Sequence, residues 1–122
     1  MSRLEIVDGG NWRDFIASPV AVLMIGKSDC GACAAWTEEL EQFLATDGEW
    51  SHVRFGKMLV DKGGLIEFKR ASPWLAEVDE LPFNQLYVAG ERAKAWPGGG
   101  IDRLVTRLQS VTRGAASGSE SR

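Results

Sequence analysis

The stretch "LMIGKSDCGACAAW", residues 23–36, holds both cysteines of the chain, Cys30 and Cys33. Upstream, "VAVLMIG" (20–26) is a continuous apolar run, rich in β-branched residues. Its length suits a strand covered on both faces. Downstream, Cys33, Trp36, Leu40, Phe43 and Leu44 fall on one stripe of a helix over roughly 30–45, while Glu38, Glu39, Glu41 and Gln42 face outward. The cysteines therefore sit past the carboxyl end of a strand, in the first turn of a helix. Leading N–H groups of a helix lack partners and carry about half a positive charge. A thiolate at Cys30 is stabilised there, below the pKa of about 8.5 of a free thiol. Cys33, one turn in, is expected to be more buried. Gly31 and Ala32 between them are small and leave the first sulfur open to a partner. On this reading Cys30 attacks a disulfide and Cys33 resolves the mixed disulfide.

The bulk properties narrow the remaining choices. The chain has 122 residues, enough for one domain with its own core. Its net charge of -3 argues against a nucleic-acid surface or a polybasic membrane patch. No apolar run approaches the roughly 18 residues of a membrane span. The N-terminus "MSRLEIVDGG" lacks the basic and apolar regions of a secretory signal, so a cytoplasmic location is expected. In a reducing compartment, a close cysteine pair is more often redox-active or metal-binding than a staple. A zinc site wants four ligands, and His52 is the only histidine. It reads as an ordinary strand-end residue.

Working outward, "LEIV" (4–7) reads as a short strand. Trp12, Phe15 and Ile16 mark a short helix capped by Asn11 or Asp8 and stopped at Ser18-Pro19. "HVRFGKMLVD" (52–61) is another strand. "LIEFKR" (65–70) is helical, and Ser72-Pro73 starts a further short helix with Ser72 as its cap. "LPFNQLYVAGERAKAW" (81–96) forms a hairpin turning at Ala89-Gly90-Glu91-Arg92. "PGGG" (97–100) ends it. Ile101, Leu104, Val105, Leu108 and Val111 make a final helix over 101–111. The domain is expected to span 1–112, with a disordered tail over 113–122. Alternating strands and helices imply an α/β fold. The expectation is a central mixed sheet of four to five strands with helices on both faces.

This order of features resembles the thioredoxin-like superfamily. The matching parts are the buried strand leading into "CGAC", the strand "KMLVD" (57–61), the segment "LPFNQLYVAGE" (81–91), then "GGG" (98–100) and an amphipathic helix. The resemblance covers about residues 4–111 and implies a thioredoxin fold. It implies a cis-proline at Pro82, with Pro82 and the Leu81 backbone forming a substrate groove by β-addition. Lys57 matches the family's buried lysine and is a candidate for electrostatic assistance. The chain departs from the family at several places. Asp29 replaces the tryptophan before the first cysteine, and Ala32 replaces a proline. Met24 stands where a buried aspartate is usual, Phe83 follows Pro82 in place of threonine, and the stretch between Asp61 and Pro82 is longer.

The implied activity is thiol–disulfide exchange, with Cys30 and Cys33 catalytic and Gly31, Ala32, Leu81 and Pro82 contacting substrate. Disulfide-containing proteins would be substrates, and a reductase or partner thiol the electron donor. No cofactor or metal is expected, because the cysteine pair carries the two electrons. A monomer is expected, binding neither nucleic acid nor membrane. Two other readings stand beside it. One is an interaction or chaperone-like module with little redox activity, and the other is a thiol-based metal carrier. Trp36 and Trp74 read as packing residues.

Overall fold

A computed structural model describes residues 3–120 of the chain, and side chains as far as residue 112. The strands are β1 (Leu4–Ile6), β2 (Val20–Gly26), β3 (Arg54–Leu59), β4 (Phe83–Val88) and β5 (Glu91–Pro97). The helices are α1 (Trp12–Ile16), α2 (Gly31–Thr46), α3 (Ile66–Ala71) and α4 (Ile101–Glu120). A 3₁₀ turn covers Pro73–Glu77. The five strands form one mixed sheet in the order β1-β3-β2-β4-β5. β3 runs parallel to both β1 and β2, whereas β4 is antiparallel to β2 and β5.

The apolar run of β2 lies at the centre of the sheet because both its faces are covered. Val22 and Met24 point into one core with Trp36, Leu40 and Leu44 of α2 and Leu104 and Leu108 of α4. Ala21, Leu23 and Ile25 point into the opposite core with Trp12, Phe15, Phe68 and Tyr87. The sheet is thus sandwiched between α2 and α4 on one side and α1, α3 and the 3₁₀ turn on the other. Gly56 of β3 is needed for this closeness. A Cβ there would lie 2.7 Å from Cζ of Phe15, so α1 could not seat. Arg54 ties the same elements at the rim, pairing with Glu5 at 2.6 Å and Asp14 at 3.1 Å.

Three local expectations are corrected. Neither Asp8 nor Asn11 caps α1 with its side chain. Asn11 instead accepts the Asp8 N–H at 2.8 Å and donates to the Ile6 carbonyl at 2.9 Å, bracing the loop before the helix. Ser72 makes no side-chain cap, and the element it opens is a 3₁₀ turn of 5 residues, too short to settle into α geometry. α4 continues to Glu120, past the stripe that ends at Val111. The tail expected over 113–122 lies outside the residues whose side chains are described.

Candidate active site

β2 ends at Gly26, and three residues turn the chain into α2. The Cys30 N–H donates to the Lys27 carbonyl at 3.4 Å. Cys30 is the N-cap of α2, with extended backbone angles, and its Sγ accepts the Cys33 N–H at 3.1 Å. Sulfur thus takes the place that a serine or aspartate oxygen usually fills at a helix start. Cys30 and Cys33 form a disulfide, with Cα atoms 5.2 Å apart. Cys30 is half-buried, whereas Cys33 is 1% exposed. Gly31 and Ala32 are exposed and offer no steric cover to Cys30.

The floor beneath the pair is built by a residue that carries no side chain. A Cβ on Gly26 would lie 3.1 Å from both Cβ and Sγ of Cys33, and 3.6 Å from Sδ of Met24. Gly26 therefore lets the inner cysteine rest directly on the strand. Met24 is fully buried in the same core, so a thioether occupies the ground under the disulfide. Lys57 is half-buried and lies opposite Met24 on the neighbouring strand. Asp61, two residues past β3, anchors the cysteine turn, accepting the Ser28 N–H at 3.1 Å and 3.2 Å through its two oxygens. Desolvation pushes the Asp61 carboxyl up, but bonds from Ser28 and the Lys62 charge outweigh it and hold it below the usual carboxylate range.

Across the pair's edge of the sheet, the Leu81–Pro82 peptide bond is cis. Pro82 is buried and Leu81 half-buried. Phe83 pairs with Ile25, which brings this segment beside the end of β2 from which the cysteine turn departs. The Pro82 carbonyl accepts the Gly98 N–H at 2.8 Å. Leu81, by contrast, makes no backbone hydrogen bond among the described residues, so its N–H and C=O remain available. Beside it opens a cleft of about 1000 Å³, lined by Ile25, Lys27, Asp61, Leu75, Val78 and Leu81 among others. The extra length between Asp61 and Pro82, folded as α3 and the 3₁₀ turn, supplies one wall.

Trp36 and Trp74 serve packing. Trp36 is buried on α2. Trp74 lies edge-on to Phe68 at 6.3 Å between ring centroids, with the Arg92 guanidinium 4.0 Å from its ring centroid. His52 is exposed beside Trp50. Among the described residues, no group of three or more His, Cys, Asp or Glu converges to hold a metal. No helix there is long and apolar enough to cross a membrane. Gly26 and Asn84 escaped the sequence reading. Gly26 looked like the ordinary end of an apolar run. Asn84 shares its strand with a second uncharged polar residue, Gln85, so residue type alone did not single it out.

No protein-family profile and no curated protein matches the sequence. Solved structures do match. Thioredoxin f2 of Chlamydomonas reinhardtii is 21% identical, with a TM-score of 0.69 over 88% of this chain and 94% of that one. The Malassezia sympodialis thioredoxin Mala s 13 is 13% identical, with a TM-score of 0.71 over 90% and 91% of the two chains. Thioredoxin O2 of Arabidopsis thaliana, in its oxidised state, is 18% identical, with a TM-score of 0.68 over 89% and 94%. Sheet order, cis-proline, disulfide position and these likenesses agree: the chain is a thioredoxin-fold protein carrying a Cys-Gly-Ala-Cys motif.

Proposed function

We propose that this chain is a thiol–disulfide oxidoreductase acting on disulfides of other proteins. The observation that carries the reading is the inequality of the two sulfurs. Cys30 sits half-buried at the N-cap of a 16-residue helix, and Cys33 is hidden beside it at disulfide reach. In the reduced protein, the helix start favours a thiolate at Cys30. That thiolate attacks one sulfur of a substrate disulfide, forming a mixed disulfide and expelling the other sulfur as a thiolate, which takes up a proton. Cys33 then attacks the Cys30 sulfur, closes the intramolecular disulfide and releases the second substrate thiol. Two electrons pass to the substrate, and the pair ends oxidised.

The unpaired Leu81 backbone supports a role for the substrate's own chain. An extended peptide pairing there adds a strand at the site, with Pro82, Gly31 and Ala32 as its walls. Lys57 assists only through its charge. A reductase or a partner dithiol restores the reduced pair, and in a reducing compartment such as the cytoplasm the chain runs as a reductant. No bound cofactor takes part. Reduction of insulin by the dithiol-charged protein, with Cys30→Ser as control, tests the reading. Turnover lost in Cys30→Ser is the expected result; wild-type protein no faster than dithiol alone overturns it. The buried Met24, which cannot ionise, is what favours the second reading, an interaction module with little redox activity.

A further inference from the structure

β4 carries an asparagine, Asn84, that is fully buried. Both polar ends of its amide are engaged. Its Oδ1 accepts the Trp36 indole N–H at 2.8 Å. Its Nδ2 donates to the carbonyls of Trp96 at 3.1 Å and Gly98 at 2.8 Å. A buried amide without partners costs about 2–7 kcal/mol, so these bonds are the condition of its presence.

The partners come from α2, the end of β5 and the glycine loop that follows it. Trp36 lies one turn beyond Cys33 on α2. Asn84 itself stands two residues past the cis-proline. Gly98 opens the glycine loop, and its N–H returns to the Pro82 carbonyl at 2.8 Å. Gly99 lies flat on the indole, since a Cβ there would be 3.1 Å from Cε3 of Trp36. One side chain thus ties the cysteine helix, the proline strand and the glycine loop together.

We propose that Asn84 is a positioning residue for disulfide exchange, fixing α2 relative to the free backbone of Leu81. The proposal rests on the oxidoreductase reading above. A protein substrate must meet two conditions together: its strand pairs with Leu81 and its sulfur lines up with Cys30. Leu81 belongs to the β4 approach and Cys30 to α2, so the bond between Asn84 and Trp36 sets the offset between them. A misplacement of about 1 Å costs about a hundredfold in such a constrained approach. A small disulfide meets only the second condition and is indifferent to the offset.

Two variants divide the contacts. Asn84→Leu removes all three bonds at similar volume. Trp36→Phe removes only the helix branch and leaves the amide on Gly98 and Trp96. Each is assayed with insulin and with hydroxyethyl disulfide. The expected result is a fall of about tenfold in the ratio of kcat/KM for insulin to that for the small disulfide, carried by KM. An unchanged ratio, or equal loss on both substrates, overturns the positioning role. If Asn84→Leu does not fold, Trp36→Phe decides on the same ratio. Wild-type protein that reduces neither substrate overturns the oxidoreductase reading and this proposal with it; active wild type with an unchanged ratio overturns this proposal alone.

Discussion

Gly26→Ala places one methyl group under the redox pair. The new Cβ would meet Cβ and Sγ of Cys33 at 3.1 Å each. Ordinary carbon contacts lie at about 3.5–4.0 Å, so something must move by about half an ångström. The strand resists, because the Gly26 carbonyl accepts the Val60 N–H at 2.9 Å and β2 is paired on both sides. Cys33 gives way instead. Overpacking of this size costs about 1–3 kcal/mol. The cost falls unequally on the two redox states. In the disulfide, the Cys33 sulfur is held by its bond to Cys30; in the dithiol it is free to turn about χ1. If about 1.4 kcal/mol of the strain is confined to the oxidised form, the reduction potential rises by about 30 mV. Equilibration against a glutathione redox buffer reads the potential, and thermal melts of oxidised and reduced protein read the two stabilities. The expected pattern is a larger loss of stability in the oxidised form together with a more oxidising pair. Equal losses with an unmoved potential would refute the placement of Cys33 on the glycine floor.

Met24→Asp supplies an acceptor for the Cys33 proton at a fully buried position. Burial keeps most of that carboxyl protonated at neutral pH, so single-turnover resolution should quicken by roughly tenfold, below the usual general-base gain of about 10²–10⁴; an unchanged rate sinks the idea. Asp61 binds the Ser28 N–H with a depressed carboxyl. Its tether is therefore present above the unfolded value of about 3.9 and lost as pH falls through the lower folded value, so protection of the Ser28 amide from exchange should fade below about pH 4 and be absent at every pH in Asp61→Ala. Tyr87 is the only tyrosine, and burial pushes its hydroxyl up to about 12. Stability should hold up to about pH 10 and then fall by about 3 kcal/mol as pH rises to the folded value; phenolate absorbance appearing near pH 10 in the folded protein would contradict the burial.

The sheet was legible because hydrophobic spacing carries it. β2 reads as a two-sided buried strand from its unbroken run, and α2 from the stripe that Trp36, Leu40 and Leu44 keep. Cap chemistry was less legible. Asn11 and Ser72 have the right residue types for caps, yet the Asn11 side chain is taken by the Asp8 N–H and the Ile6 carbonyl, and Ser72 opens a 3₁₀ turn. Of the site, the two cysteines announced themselves, and Leu81 and Pro82 came from resemblance. Gly26 and Asn84 needed coordinates. The value of Gly26 lies in what it lacks beneath a residue seven positions away in sequence. That of Asn84 lies in bonds to Trp36 and Gly98, far from it along the chain. The glycines at 98–100 read as a terminator, whereas Gly99 lies against the Trp36 ring.

The proton balance follows from what surrounds Cys33. Closing the disulfide requires its thiol to lose a proton at the moment it attacks. The Met24 thioether is only a weak acceptor and is not basic at neutral pH. Gly26 has no side chain, and the Thr37 hydroxyl, which donates to the Cys33 carbonyl at 2.8 Å, is not basic. On the proposed reaction, the basic group that appears at the right time is the sulfur expelled by Cys30. A thiolate of ordinary basicity takes the proton readily, and its basicity disappears once it has done so, which prevents it from reversing the first step. A substrate that keeps its expelled sulfur close, as a folded protein does, supplies this base in place. A small disulfide loses it to solvent. On the proposed function, the missing carboxylate and the unpaired Leu81 backbone favour a protein substrate for separate reasons: the backbone would hold the chain, and the chain would hold the base.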